Sequence, residues 1–221
     1  MKTLTLIDTG LKKYAEVLAL QEEYFNANLQ AKEANQPTYN HLILCEHEPV
    51  FTLGKSGKRE NILVSDTDMN AEFYQTNRGG DVTFHGPGQL VVYPVLDLET
   101  LGIGLAQYIS MLEDVIIESC KAYNIKAERL EGAPGIWVIP TDTAPRKICA
   151  IGVKASRLVT MHGLAMNVNT DLTYFDKIIP CGLEGKGVTS LQKELGTPQS
   201  MGDYKKEFVK CFEKIFGVSI S

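Results

Sequence analysis

The sequence predicts an α+β fold: one domain spanning residues 1–221, with a mixed sheet flanked by helices. Two observations lead to this class. Strand-like runs follow one another in clusters, and the helical segments are segregated from them instead of alternating strand by strand. The chain also carries no internal repeat, low-complexity tract or linker, and 221 residues suffice for one sizeable core.

Taken in chain order, the first run is TLTLID, where Leu4 and Leu6 alternate with Thr3 and Thr5. Residues 10–33 follow with Leu11, Tyr14, Leu18, Tyr24, Phe25 and Leu29 mostly three or four apart, which predicts a helix. HLILC, PVFTL and QLVVYPVLDL are rich in β-branched and aromatic residues, and Pro94 in the last predicts an edge position, a bulge or a bend. A second helix is predicted over 104–123 from the stripe Leu105, Tyr108, Ile109, Leu112, Val115, Ile116 and Cys120. Three more strand-like runs come next, GIWVIP, KICAIGVKA and LVTMHGLAMNV. Strict alternation in the middle one would send Lys147 and Lys154 to opposite faces. Tyr204, Phe208, Phe212 and Ile215 mark a last helix, closed by Gly217.

Composition excludes several classes of function. A formal charge of −5 leaves little room for the basic face a nucleic-acid binder needs. No apolar run approaches the ~18 residues that span a bilayer, and the N-terminus lacks the apolar core of a signal peptide. Five scattered cysteines (45, 120, 149, 181 and 211) predict free thiols in a reducing cytoplasm. With no CxxC, HExxH or Cys/His cluster at metal-ligand spacing, no zinc site is expected.

Four stretches could carry chemistry. In RGGDVTFHGPGQL (78–90), Gly79 and Gly80 allow close backbone approach to a ligand, although a hairpin whose glycines only turn the chain has the same composition. It is neither GxGxxG nor a P-loop. RKICAIGVKASR (146–157) holds Lys147, a residue of interest only if a thiol or carbonyl lies opposite it. TMHGLAMNVN (160–169) holds His162, a candidate base for a cysteine or simply a half-buried histidine. There Gly163 and Ala165 leave room for a slender apolar ligand or for close packing of a neighbour. IIPCGL (178–183) sets Cys181 between proline and glycine, where a turn would expose a thiol. A free thiol of pKa ~8.5 needs a neighbouring cation to ionise at neutral pH, and spacing leaves Lys147, Lys154, Arg78 and Arg157 all open for that role.

Together these stretches resemble the octanoyltransferase family of lipoate biosynthesis. The resemblance rests on ordered blocks: CEHEPVFTLGK (45–55), RGGDVTFHGPGQLVVYPVLDL (78–98), GAPGIWV (132–138), KICAIGVK (147–154), HGLAMNVNTDL (162–172), and IPCGL with VTSL (179–191). It implies a fold like that of biotin- and lipoate-protein ligases. It also implies transfer of an octanoyl group from octanoyl-acyl carrier protein to a lysine on lipoyl domains of 2-oxo-acid dehydrogenases or the glycine cleavage H protein. Cys181 corresponds to the acyl-accepting cysteine and Lys147 to its activating lysine. The substrate-binding positions correspond to Arg78, Gly79, Gly80, Asp81, Val82, Thr83, Phe84 and His85, to Ala150, Ile151 and Gly152, and to Gly163, Leu164 and Ala165. Passing one thioester to another needs no nucleotide. Because the partners of this family are acidic, a local basic patch is expected from Lys55, Lys58, Arg59, Lys154 and Arg157. Three other readings are an ATP-dependent lipoate-protein ligase, which typically has GGG-x-V-x-H-D where RGGDVTFHGPG stands here, a related cysteine-dependent octanoyltransferase or amidotransferase acting on a different donor or acceptor, and a non-catalytic acyl-carrier-binding protein.

Overall fold

The computed structural model describes residues 2–65, 68–179 and 186–221. The alternating N-terminus forms β1 (Lys2–Lys12), which buries Leu4 completely and runs past the TLTLID stretch through a bulge at Gly10, φ +64°. Helix α1 (Tyr14–Glu33) therefore starts later than the periodicity implies. Its buried face is Tyr14, Val17, Gln21, Phe25 and Asn28, and the two amides in that stripe explain why it is only partly legible as apolar. Asn28 is satisfied there, donating from Nδ2 to the Tyr39 carbonyl at 2.8 Å and accepting from the Tyr39 N–H at 2.9 Å.

The chain continues through β2 (His41–His47), β3 (Val50–Leu53), β4 (Glu72–Gln75), β5 (Val82–His85) and β6 (Gln89–Val95). Next come α2 (Leu98–Leu101), α3 (Leu105–Lys121), β7 (Ala127–Leu130), β8 (Ala133–Val138), β9 (Arg146–Ser156) and β10 (Val159–Asn167). The last elements are β11 (Gly187–Val188), α4 (Leu191–Leu195), α5 (Met201–Phe216) and β12 (Val218–Ile220). Among the described residues, nine strands form one mixed sheet in the order β12-β1-β2-β6-β10-β9-β8-β7, with β11 added beside β9. A three-stranded sheet, β4-β3-β5, stands apart from it.

Alternation along the central strands divides the interior into two layers. One face buries Leu44, Leu90, Val92, Leu164 and Met166 with α3 and α5, where Tyr204 and Ser119 share a hydroxyl hydrogen bond of 2.8 Å. The other face buries Ile43, Cys45, Val91, Tyr93 and Ala165 against α1. A third cluster, Phe51, Val82, Phe84 and Ile178 with Tyr174 and Phe175, fills the space under the small sheet. No helix among the described residues is long and apolar enough to cross a membrane.

Two expectations about local structure change. Pro94 is on a central strand, not an edge: it pairs with Leu42 on β2, and pairing with β10 stops at Val92. The missing N–H is tolerated because β10 has already left the ladder there, and the Pro94 carbonyl accepts from Thr160 Oγ1 at 2.8 Å. The Gly86–Gly88 turn joins no hairpin. It carries the chain from β5 in the small sheet to β6 in the large one, with Gly88 at φ +81° and a Cβ there 2.6 Å from the Asn169 carbonyl.

Candidate active site

A cavity of about 190 Å³ opens between the α1-side face of the large sheet and the segment 78–83. That segment lies like a strap over β9. The Gly79 N–H donates to the Val153 carbonyl at 3.0 Å, and a Cβ on Gly152 would sit 2.9 Å from the Gly79 carbonyl oxygen. Gly54 is pressed just as closely beneath the strap, since its Cβ would meet the Gly80 carbonyl at 2.3 Å. Glycine here serves backbone-on-backbone approach, and the Gly79 N–H is committed to the fold and is no oxyanion donor.

Arg78 is buried and fastens the strap to β3. It donates to the Thr52 carbonyl at 2.6 Å, the Asp81 carbonyl at 2.7 Å, the Gly79 carbonyl at 2.9 Å and Thr52 Oγ1 at 3.0 Å. His85 donates from Nδ1 to Gln89 Oε1 at 2.8 Å, and burial first, then His47, pushes its pKa down to about 3. It is neutral at physiological pH. Gln89 Nε2 donates on to Asn167 Oδ1 at 2.9 Å, and Asn167 Nδ2 to the Thr189 carbonyl at 3.0 Å. This amide chain leads along the cavity towards Lys147.

Lys147 reaches the cavity because Gly135 lets it pass. Gly135 holds φ +104°, and a Cβ there would be 3.4 Å from Lys147 Cε and 2.6 Å from the Cys149 carbonyl. The ammonium lies 4.8 Å over the buried Trp137 ring, whose Nε1 is fixed by donating to the Ala133 carbonyl at 2.9 Å. The backbone of Lys147 is bound to the strand that follows IIPCGL: Val188 pairs with it, and the Thr189 N–H donates to its carbonyl at 2.9 Å. Ahead of that stretch, Ile178 bridges to Ile62 and the Ile179 N–H donates to the Asn61 carbonyl at 2.7 Å. Cys181 itself lies outside the described residues.

The remaining cysteines are unsuited to nucleophilic work. Cys45, Cys120, Cys149 and Cys211 are buried and unpaired, and burial raises every one of these thiols, Cys120 to about 12 and Cys211 to about 11. Cys149, two residues from Lys147, is thereby a core residue. No group of His, Cys, Asp or Glu among the described residues could hold a metal ion.

The cavity brings together Arg78, Gly80, Asp81, Val82, Thr83 and His85 with Lys147, Ala150–Gly152 and Gly163–Ala165. Two candidates stand back from it. Phe84 stacks on Tyr174 at 4.2 Å in the third core cluster, and Gly79 serves the strap. Gly163 borders the cavity, but its missing Cβ makes room for β6, since that atom would be 2.2 Å from the Val92 carbonyl. Sequence reading missed Tyr14, Gln89, Tyr93 and Asn167, which line the cavity from α1, β6 and β10. Gln89 and Asn167 stand inside the quoted blocks, whereas nothing marks Tyr14 apart from its helix stripe. The basic candidates are largely engaged: Lys58 pairs with Glu60 at 3.4 Å, Arg157 with Glu33 at 2.5 Å, and Arg59 and Lys154 lie over Phe73 and Phe25.

Residues 13–213 match the family model described as the lipoyl protein ligase A/B catalytic domain. An octanoyltransferase of Parabacteroides distasonis is 50% identical over 220 residues, covering 98% of this chain and 100% of the relative. The chain belongs to the octanoyltransferase family. An octanoyltransferase of Bacteroides fragilis is 49% identical over 93% of this chain and 94% of its own length. This octanoyltransferase is accordingly an acyltransferase of lipoate synthesis, as the motif blocks imply. Its fold is shared with Ta0514, a putative lipoate protein ligase from T. acidophilum with bound lipoic acid, at TM-score 0.70 and 15% identity over 100% of this chain and 88% of that one. A biotin protein ligase from Aquifex aeolicus has the same fold at TM-score 0.53 and 13% identity, over 96% of this chain and 69% of that one.

Proposed function

We propose that residues 1–221 act as one catalytic unit that carries an octanoyl group from octanoyl-acyl carrier protein, through a thioester on Cys181, to a lysine of lipoyl domains in 2-oxo-acid dehydrogenases or the glycine cleavage H protein. The observation that carries this reading is the attachment of the chain after IIPCGL to the backbone of Lys147, at the edge of a largely apolar cavity. Val188, which pairs with Lys147, is seven residues along the chain from Cys181.

In the first half-reaction the Cys181 thiolate attacks the octanoyl carbonyl carbon; the new C–S bond forms as the carrier's thiolate leaves. The Lys147 ammonium stabilises the attacking thiolate. Once Cys181 is acylated its charge is gone; Lys147, its counter-charge lost beside an apolar cavity, gives its proton to the departing carrier thiolate, which leaves as the free thiol. In the second half-reaction neutral Lys147 takes the proton of the acceptor amine as the C–N bond forms and Cys181 departs as thiolate. The ion pair is thus restored. No nucleotide enters either step.

Intact-protein mass tests the scheme. Mixed with octanoyl-acyl carrier protein and no ATP, the wild type gains one octanoyl group and loses it to added lipoyl domain, whereas Cys181→Ser gains none. Modification of the lipoyl domain only with free acid and ATP would instead assign a ligase activity, the chemistry named for the proteins that share the fold.

A further inference from the structure

β10 contains a conformational outlier beside the cavity. His162 has φ +58° in the middle of the strand, a region that residues with a Cβ rarely occupy. Its N–H is taken by Oε1 of Gln21, a fully buried side chain on α1, at 3.0 Å. Gly163, next to it, is pressed against the backbone of β6. At this step in the strand the imidazole lines the cavity, although the residue is only 3% exposed. Among the described residues its ring nitrogens have no hydrogen-bond partner, and burial keeps the ring neutral by lowering its pKa to about 4. The Tyr14 hydroxyl also lines the cavity without a partner among the described residues, its ring lodged 5.3 Å from His47 and 5.1 Å from Tyr74. Two unpartnered polar groups are out of keeping with a channel for a plain alkyl chain.

Their distance from the reacting end gives them a purpose. The Lys147 stem passes Gly135 beside the Cys149 carbonyl, and His162 pairs with Val153. From Cys149 to Val153 is four residues of strand, about 13 Å. Seven C–C bonds of about 1.5 Å in an extended zigzag span about 9 Å, so with the thioester atoms added an octanoyl chain ends near His162. Between them the floor is Ala150, Gly152 and Ala165, too small to obstruct the chain.

We propose that the His162 imidazole and the Tyr14 hydroxyl form a polar stop that sets the acyl length this cavity accepts, with Gln21 holding the strained backbone that aims His162. Eight carbons end at the stop. Ten or twelve would press methylenes onto groups that need a polar partner, removing solvent and returning no hydrogen bond. The inference rests on Lys147 marking the reacting end, as in the proposed function.

Calorimetric binding of octanoate, decanoate and dodecanoate tests it without turnover, so the result stands whether or not Cys181 is acylated in the mass experiment. His162→Gly keeps the positive φ at little cost and removes the imidazole; Tyr14→Phe removes only the hydroxyl. Wild type should prefer octanoate to dodecanoate by about tenfold or more, and His162→Gly should shrink that ratio by about tenfold, with a smaller shift in Tyr14→Phe. The proposal is overturned if wild type shows no length preference, or if folded His162→Gly weakens all three acids alike. Should His162→Gly fail to fold, an unchanged ratio in Tyr14→Phe overturns it instead.

Discussion

Lys147 owes its position to two residues that make no chemical step themselves. Gly135 removes the side chain that would block its stem, and Trp137 offers the ring face on which the ammonium rests. Spacing alone leaves Lys147 as one of several strand lysines; the role proposed for it comes from the KICAIG block, and neither Gly135 nor Trp137 could be connected to it from sequence. Gly135→Ala should therefore act on Lys147 through strain, because a Cβ at φ +104° would meet the Cys149 carbonyl at 2.6 Å. The expected cost is about 1–3 kcal/mol in stability. Octanoyl loading, followed by rapid-quench mass spectrometry, should slow by about tenfold or more, while Lys147→Ala should lose about 10²–10⁴ without a comparable loss of stability. Equal loading rates in Gly135→Ala and wild type would show that the lysine does not depend on this passage.

Among the elements, the strap 78–83 decides whether the cavity has a roof. It is attached to β9 by one backbone hydrogen bond and to β3 by the Arg78 guanidinium, and Gly152 gives it the clearance to lie flat. The Arg-Gly-Gly run was legible as a site of close backbone approach, but the sequence presented the ligand as the thing approached. The structure shows that backbone approaches backbone, at Gly54, Gly152 and Gly163 alike. Gly152→Ala should lift the strap, since the new methyl would lie 2.9 Å from a carbonyl already tied down by its neighbouring N–H. We expect a loss of about 1–3 kcal/mol, read by denaturant unfolding. Hydrogen exchange at the Gly79 amide should accelerate; an unchanged exchange rate would mean the strap has slack to absorb a methyl group.

For the molecule as a whole, three buried histidines couple the cavity to acid stability. Burial lowers His47 and His162 to about 4 and His85 to about 3, and all three stay neutral in the fold. An unfolded histidine takes up its proton near pH 6.5, so below that pH the unfolded chain binds more protons and stability falls. The loss accumulates from about pH 6.5 down to pH 4 and 3, is absent above pH 6.5, and amounts to at most about 3 kcal/mol for each of His47 and His162. Denaturant midpoints measured across this range should fall with pH, and His47→Gln should flatten part of the slope. A flat profile between pH 6.5 and 4 would contradict the neutral assignment.

By itself the sequence determined the fold class, the main helices and central strands, and the reaction family. Each of those rests on local information: periodicity follows from which residues one face of an element buries, and the motif blocks are contiguous. It could not tell Pro94 on a central strand from Pro94 on an edge, because that depends on where β10 leaves its neighbour. Nor could it distinguish Phe84, facing the core, from His85, facing the cavity, or bring Tyr14 and Gln21 from the first helix to His162 on β10. Those positions are set by side chains and backbones meeting across more than a hundred residues of chain. Such contacts exist only after the layers pack, so the floor, roof and far end of the cavity were decided by the tertiary structure.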